Sequence, residues 1–317
     1  MTSTPHEVHG ILNLFKPSEP TSMHVVNRVK RLAKQKGVGH GGTLDPLADG
    51  VLPICFGQAT RVMEYIIDTP KTYRMTVQLG VSTNTYDAQG EVTRERDASG
   101  ITCDQVERTL ERFRGMIQQT PPMYSALKRD GKRLYELARA GLEVERQPRS
   151  VEMFSLQVVS CNLPVVVIDA ECGRGAYMRS LAHDLGEALG VGAHLSALTR
   201  TSHGPFKASE AITLERFEEL CEAGTWESAL MPLDAVLSGM RAVQLTSPQE
   251  KVLRNGQPVD LGPRSHYSPH LESVRAYSPD GVFLAILRFH KSEGVWKPHK
   301  VFRLTAPSPL APREGAA

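Results

Sequence analysis

The 317-residue chain is 40% hydrophobic and carries 37 Lys/Arg against 35 Asp/Glu, a formal charge of +2. That length supports one large core, or one large and one small, and the near-balanced charge excludes a polycation, so any nucleic-acid affinity must come from local basic patches. Five cysteines without a CxxC pair argue against a zinc site or a disulfide framework and predict buried reduced thiols in a cytoplasmic protein. The start of the chain has no basic n-region, and no apolar run reaches the roughly 18 residues of a membrane span.

In chain order, Gly10–Phe15 reads as a short strand ended by Lys16-Pro17. Thr21 or Ser22 caps a helix whose core face is Val25, Val26, Val29, Leu32 and Ala33, with Arg28, Lys30, Arg31, Lys34 and Lys36 at other positions. This basic surface leads into HGGTLDPLADGVLPICFG, His40 to Gly57. There Asp45 sits in a glycine-rich turn before a proline, a common place for a turn-forming Asp. KTYRMTVQLGV (Lys71–Val81) alternates with Tyr73, Met75, Val77, Leu79 and Val81 on one face, a half-buried strand.

Thr102 and Gln105 fit a capping box for a helix with Val106, Leu110, Phe113 and Ile117 inward. The following insertion, about residues 121–150, turns on KRDGKR, with Tyr124 and Tyr135 on either side. From Ala126 to Ser150 it holds seven Lys/Arg against four Asp/Glu, a composition suited either to gripping RNA or to a solvated hairpin. VVVIDAECGRGAYMRSLAHDLGEALG reads as strand, turn and helix. Its glycines match neither GxGxxG nor GxxxxGK[ST], so no nucleotide site is expected. Arg179, in the first turn of that helix, opposes the helix dipole and calls for a carboxylate partner. After about residue 235 the pattern changes to short strands, AVQLT, SVRAY, VFLAILRF and KVFRL, with PQEKVLRNG as a small helix and residues 307–317 as a disordered tail.

The residues by themselves leave three chemistries open. Asp45 and Asp49 could form a glycosidase-like carboxylate pair, the chain could be a noncatalytic RNA-binding module, or Asp45 could be a nucleophile in a dry, rigid loop.

GHGGTLDPLADGVLPICFGQAT resembles the catalytic motif of pseudouridine synthases of the TruB type. The likeness continues in KTYRMTVQLGVSTNTYDAQGE, in PPMYSALKRDGKRLYELARAGLEV, in CGRGAYMRSLAHDLGEALGVGAHLSALTR and, more loosely, in RNGQPV. It implies an α+β fold: a mixed, largely antiparallel sheet with flanking helices over residues 1–235, and a small PUA-like β-rich domain over 236–306. It implies isomerisation of uridine 55 in the T loop of tRNA to pseudouridine on a flipped-out base, without metal or cofactor. Asp45 would be the nucleophile, by attack at C1′, by a glycal route or by addition to the base. Arg179 would pair with it and favour its ionised form. Tyr73 would stack on the uracil and serve as a base, His40 would fill the hole left in the RNA stack, and Tyr177 and Leu198 would line the uridine pocket. The partner implied is the tRNA T arm, with a monomeric protein needing no membrane and no obligate protein partner. One departure stands out: where the family has glycine after Lys16-Pro17, this chain has Glu19 followed by Pro20. The alternatives of a different kind are a guide-RNA-dependent subunit and a tRNA-folding chaperone with secondary catalysis.

If the insertion grips RNA, replacing Lys128, Arg129, Lys132 and Arg133 by Ala flattens the log–log salt dependence of tRNA binding by roughly 0.7–0.9 per lost phosphate contact. An unchanged slope in filter-binding titrations would make the hairpin a solvated one.

Overall fold

The computed structural model describes residues 7–312, apart from 126, 130, 143 and 263–266. Strand β1 (Gly10–Lys16) leads into helix α1 (Ser22–Leu32), whose N-cap Thr21 accepts from the His24 amide at 3.1 Å. Next come β2 (Val38–His40), β3 (Asp49–Phe56), α2 (Met63–Asp68) and β4 (Lys71–Leu79). A side hairpin of β5 (Val81–Thr83) and β6 (Val92–Glu95) precedes α3 (Cys103–Leu110) and β7 (Gly115–Gln119). The basic insertion forms a two-stranded ladder, β8 (Lys128–Arg129) with β9 (Lys132–Arg133), then α4 (Leu134–Arg139). Its turn residue Asp130 and the side chains of its four flanking cations and Tyr135 lie outside the described residues. The chain continues through β10 (Arg149–Asn162), β11 (Val165–Cys172), α5 (Met178–Ala188), β12 (Ala193–His203), β13 (Phe206–Lys207), α6 (Leu214–Glu222) and β14 (Leu230–Met231).

These strands form one ten-stranded sheet in the order β14, β1, β3, β12, β4, β11, β10, β7, with β2 added to β3 and β13 to β12. The pairings are antiparallel except between β3 and β12, which run parallel at Asp49↔Thr199 and Gly50↔Arg200. Gly50 makes that junction possible. Its φ is 102°, and a Cβ there would sit 2.3 Å from the Arg200 carbonyl oxygen. The alternation read along β4 holds: Tyr73, Met75, Val77 and Leu79 are buried. They pack with Ile168, Leu181, Leu185, Val106 and Leu110 beneath α3 and α5, while Val25 and Val29 of α1 pack with Phe217 and Trp226 elsewhere on the sheet. Each such side chain contributes about 1.5–3 kcal/mol by leaving water.

Two local expectations need correction. The capping box of Thr102 and Gln105 is present, but α3 ends at Leu110. Phe113 lies in a 3-10 turn and Ile117 in β7, because Gly115, at φ 77°, turns the chain out of the helix. The thiols are not all reduced either. Cys103 and Cys161 form a disulfide across a separation of 58 residues, joining the start of α3 to the end of β10. No short motif announces such a pair, since tertiary packing brings the two segments together. Cys55 and Cys172 remain free and buried, and burial pushes their thiols up to about 12 and about 11.

The C-terminal part is β-rich, as expected. β15 (Arg241–Gln244), α7 (Ser247–Arg254), β16 (Ser273–Tyr277), β17 (Phe283–His290) and β18 (Val295–Val301) build a four-stranded sheet in sequence order. The expected strand KVFRL is only half strand, since β18 stops at Val301. A buried relay fastens this sheet to the larger one: the Tyr277 hydroxyl donates to Asp234 Oδ2 at 2.7 Å, and Arg275 Nη1 donates to that hydroxyl at 3.0 Å. Ser308 Oγ reaches the same Asp234 oxygen at 2.7 Å, and Pro307 bridges to Val282. Residues 307–312 are therefore pinned rather than free, while 313–317 lie outside the described residues. Among the described residues no helix is long and apolar enough to cross a membrane.

Removing the disulfide by Cys103→Ser is expected to lower the unfolding free energy by about 2–4 kcal/mol, because the unfolded chain loses a cross-link that closes a long loop. The check is a denaturant titration with and without added dithiol. Wild-type curves that coincide in both conditions would show that the link adds nothing to stability.

Candidate active site

The sheet places the loop between β2 and β3 against the N-terminus of α5, and the site is built where they meet. Asp45 Oδ2 lies 2.8 Å from Arg179 Nε. The Nε–H is not aimed along that line, so the contact is a close ion pair rather than an aligned hydrogen bond. The guanidinium is otherwise fully engaged. Nη2 donates to the Tyr124 carbonyl at 2.8 Å, and Nη1 lies 3.5 Å from the Thr85 carbonyl and 3.5 Å from Asp87 Oδ2. Arg179 and Asp87 side chains are 5% and 7% exposed, against 37% for Asp45. A cation held from three sides thus presents one carboxylate to an opening.

Asp87 is fixed in turn by the Thr85 hydroxyl at 2.7 Å and the Gln89 amide at 3.0 Å, both donating to its Oδ1. Tyr177 caps α5 without a side-chain capping bond. Its backbone N–H donates to Gln119 Oε1 at 2.7 Å, and Gln119 Nε2 donates to its carbonyl at 3.0 Å. Burial raises the pKa of its phenol, and the Asp45 charge pushes the same way, while the neighbouring Ser125 hydroxyl opposes both. Tyr73, 8% exposed on β4, also has a phenol raised by burial, with Arg200 opposing the shift. Leu198, 7% exposed, pairs with Met75 across β12 and β4 and shares the apolar cluster of Leu44 and Tyr73.

Of the residues singled out in the sequence, Asp45 and Arg179 are therefore in contact, Tyr177 caps the helix that carries Arg179, and Tyr73 and Leu198 share an apolar cluster with Leu44, the neighbour of Asp45. His40 ends β2 five residues upstream of Asp45, and its Nδ1 accepts from the Gly42 amide at 3.3 Å. Burial first, and the Arg200 charge second, lower its pKa and favour the neutral ring.

The loop is supported by residues that sequence reading passed over. Lys16 is fully buried, and its ammonium donates to the Pro17 carbonyl at 2.7 Å and the Ala48 carbonyl at 2.6 Å. Burial lowers it to about 8, with the Asp49 and Asp45 charges opposing, so it stays cationic at neutral pH. Ser22 Oγ exchanges hydrogen bonds with the Leu44 amide and carbonyl, each at 2.9 Å. The Glu19 amide donates to the Pro46 carbonyl at 2.8 Å. The signals were present in Lys16-Pro17, in Ser22 at a cap, and in Asp87 within TYDAQG, but each has an ordinary local explanation. Among the described residues no cluster of His, Cys, Asp and Glu suits a metal ion.

Comparison with known proteins agrees with this geometry. Residues 30–178 match the N-terminal domain of the TruB family of pseudouridylate synthases, and residues 179–242 match the C-terminal domain of tRNA pseudouridylate synthase B. The tRNA pseudouridine synthase B of Dehalococcoides mccartyi is 40% identical over 302 residues, covering 95% of this chain and 99% of the relative. That of Burkholderia mallei is 44% identical over 296 residues, covering 92% and 96%. The crystal structure of a Cbf5-Nop10-Gar1 complex contains a chain that superposes with a TM-score of 0.70 at 26% identity, covering 96% of this chain and 87% of that one. The fold and the family match define a pseudouridine synthase architecture. The chain belongs to the TruB family of pseudouridylate synthases.

Glu19 holds φ 84°, the left-handed region that glycine adopts freely. Glu19→Gly is expected to raise the unfolding free energy by about 1 kcal/mol, read as a higher denaturant midpoint. A lower midpoint would reveal a compensating contact of the Glu19 side chain.

Proposed function

We propose that this chain is a stand-alone tRNA pseudouridine synthase that isomerises uridine 55 of the T loop, with Asp45 as nucleophile. The observation that carries this reading is the Asp45–Arg179 pair, a half-exposed carboxylate braced at 2.8 Å by a buried guanidinium on a loop whose Leu44 is buried with Tyr73 and Leu198. The reaction breaks the N1–C1′ bond, forms a C5–C1′ bond, and exchanges a proton on C5 for one on N1. It needs one nucleophile, a surface that holds the detached base, and a group that takes the C5 proton.

Asp45 fills the first role. Tyr73 and Leu198 give the base an apolar surface on which it turns without escaping, and the Tyr73 hydroxyl, held protonated by burial, relays the C5 proton by taking it up as its own proton passes on towards N1. Tyr177 closes the pocket beside the carboxylate. His40, kept neutral by burial, is suited to stacking in the gap left by the flipped nucleotide, where a charged ring would be costlier to desolvate. Flipping costs a few kcal/mol, and such stacking offsets part of it.

The division of labour also follows the sheets. Residues 1–235 would carry the chemistry, with the insertion at about 121–150 gripping the T arm. Residues 236–306 would form a PUA-like platform for the rest of the tRNA. The protein would act as a monomer in the cytoplasm without metal or cofactor. The Cbf5 likeness keeps a guide-dependent subunit in view, but the relatives named for tRNA are far more similar in sequence, at 40% and 44% against 26%. A tRNA-folding chaperone with secondary catalysis is separable by experiment.

Wild-type protein in chelator is expected to release tritium from tRNA transcript labelled at C5 of uridine. Asp45→Asn should release none while binding the transcript within about threefold of wild type, since the carboxylate acts mainly in the transition state. Tight binding without release by wild type would overturn stand-alone catalysis and favour a guide or partner. Asp45→Ala protein that still speeds tRNA folding would establish the chaperone activity as independent of the chemistry.

A further inference from the structure

Arg200 is the largest charged side chain in the interior, 1% exposed on β12. No carboxylate among the described residues forms an ion pair with it, whereas Arg179 has two. Its hydrogen bonds run to backbone oxygens: Nε to the Val51 carbonyl at 2.7 Å, Nη2 to Gly42 at 3.1 Å and Nη1 to Thr43 at 3.4 Å. A buried cation without an anion is expensive to desolvate, so its retention among carbonyls asks for a reason other than stability.

The positions of those carbonyls supply one. Gly42 and Thr43 stand three and two residues before Asp45, and Val51 follows Gly50 in β3, just past the far end of the loop. Arg200 therefore grips both ends of the segment that carries the carboxylate. Across β12 and β4 it is the register partner of Tyr73, so the residue that holds the loop is fixed to the backbone that carries the phenol. The close approach at Gly50, where no Cβ fits against the Arg200 backbone, brings the arginine within reach of the loop. A lysine has one nitrogen on a flexible stem and cannot satisfy three diverging carbonyls as a planar fork does.

We infer that Arg200 is a positioning residue that locks the Asp45 loop to Tyr73, so that the carboxylate and the stacking phenol meet the same nucleotide. It touches neither the reacting bond nor the base. The inference rests on the functional reading above for the roles of Asp45 and Tyr73. The linkage of loop to strand is a property of the chain itself and can be measured without substrate.

The test uses full-length Arg200→Lys, with Arg200→Gln as a second variant judged by the same criteria. In single turnover at saturating tRNA transcript the rate is expected to fall at least about tenfold, because small displacements of a reacting group are costly. The Kd for transcript should stay within about threefold, as the variant leaves the binding surface in place. Hydrogen exchange of the amides from 41 to 45 should quicken by about tenfold or more, with the strands β10 and β11 unchanged, since the opening is local. Rates within twofold of wild type and a protected loop would overturn the inference. So would exchange that quickens throughout the molecule with a parallel loss of binding, which would make Arg200 purely structural. Wild-type protein that makes no pseudouridine would sink the functional reading, and the loop amides would still judge Arg200.

Discussion

The arrangement of this molecule turns on a guanidinium in an unfavourable place. Arg179 occupies the first turn of α5, where the helix dipole repels a cation, and it is almost wholly buried. It is tolerable because the Asp45 and Asp87 carboxylates and the carbonyls of Tyr124 and Thr85 surround it. Those four partners come from three separate stretches: Asp45 from the loop after β2, Thr85 and Asp87 from the turn between β5 and β6, and Tyr124 from the segment that opens the insertion. Satisfying one buried charge thus brings together the parts of the site, and a carboxylate left at the opening is the result.

The loop bearing that carboxylate is held from behind by a second, cationic layer. Lys16 and Arg200 donate to its carbonyls, and Ser22 brackets Leu44. Backbone oxygens that would otherwise be stranded in the core gain partners, and the loop gains a fixed depth. Leu44 and Ala48 on the same loop are buried in the apolar cluster, so polar and apolar anchoring agree. A carboxylate on such a loop is preorganised by groups that already hold the structure. Glu19 shows the limit of that economy: the turn that touches Pro46 keeps a left-handed residue although no glycine is there to ease it.

The C-terminal sheet is fastened to the same body by a different device. Asp234, Tyr277, Arg275 and Ser308 form a buried polar relay, and Ile11, Val51 and Ile66 of the large sheet's side share an apolar cluster with Phe283, Ile286 and Phe302. Burial first, and the Asp234 charge second, hold the Tyr277 phenol protonated, so it remains a donor. A sheet attached in this way keeps its orientation to the larger one.

Periodicity carried much of the fold. The alternation along Lys71–Leu79, the helical spacing of Val25, Val26 and Val29, and the Thr102 and Gln105 capping box report local backbone preferences, and all three are in the structure. Motif order singled out Asp45, Tyr73, Tyr177, Arg179 and Leu198, because each falls within a recognisable stretch. What the sequence could not reveal depends on contacts between distant segments. Cys103 and Cys161 look like two unremarkable thiols until α3 lies on β10. Lys16 looks like the end of a strand until Ala48 and Pro17 surround its ammonium. Arg200 looks like an alternating strand residue until Gly50 lets β3 lie beside β12. Local order is written in spacing because neighbours in the chain dictate it. Burial of a charge, or closure of a disulfide, is decided by which surfaces the whole fold presses together.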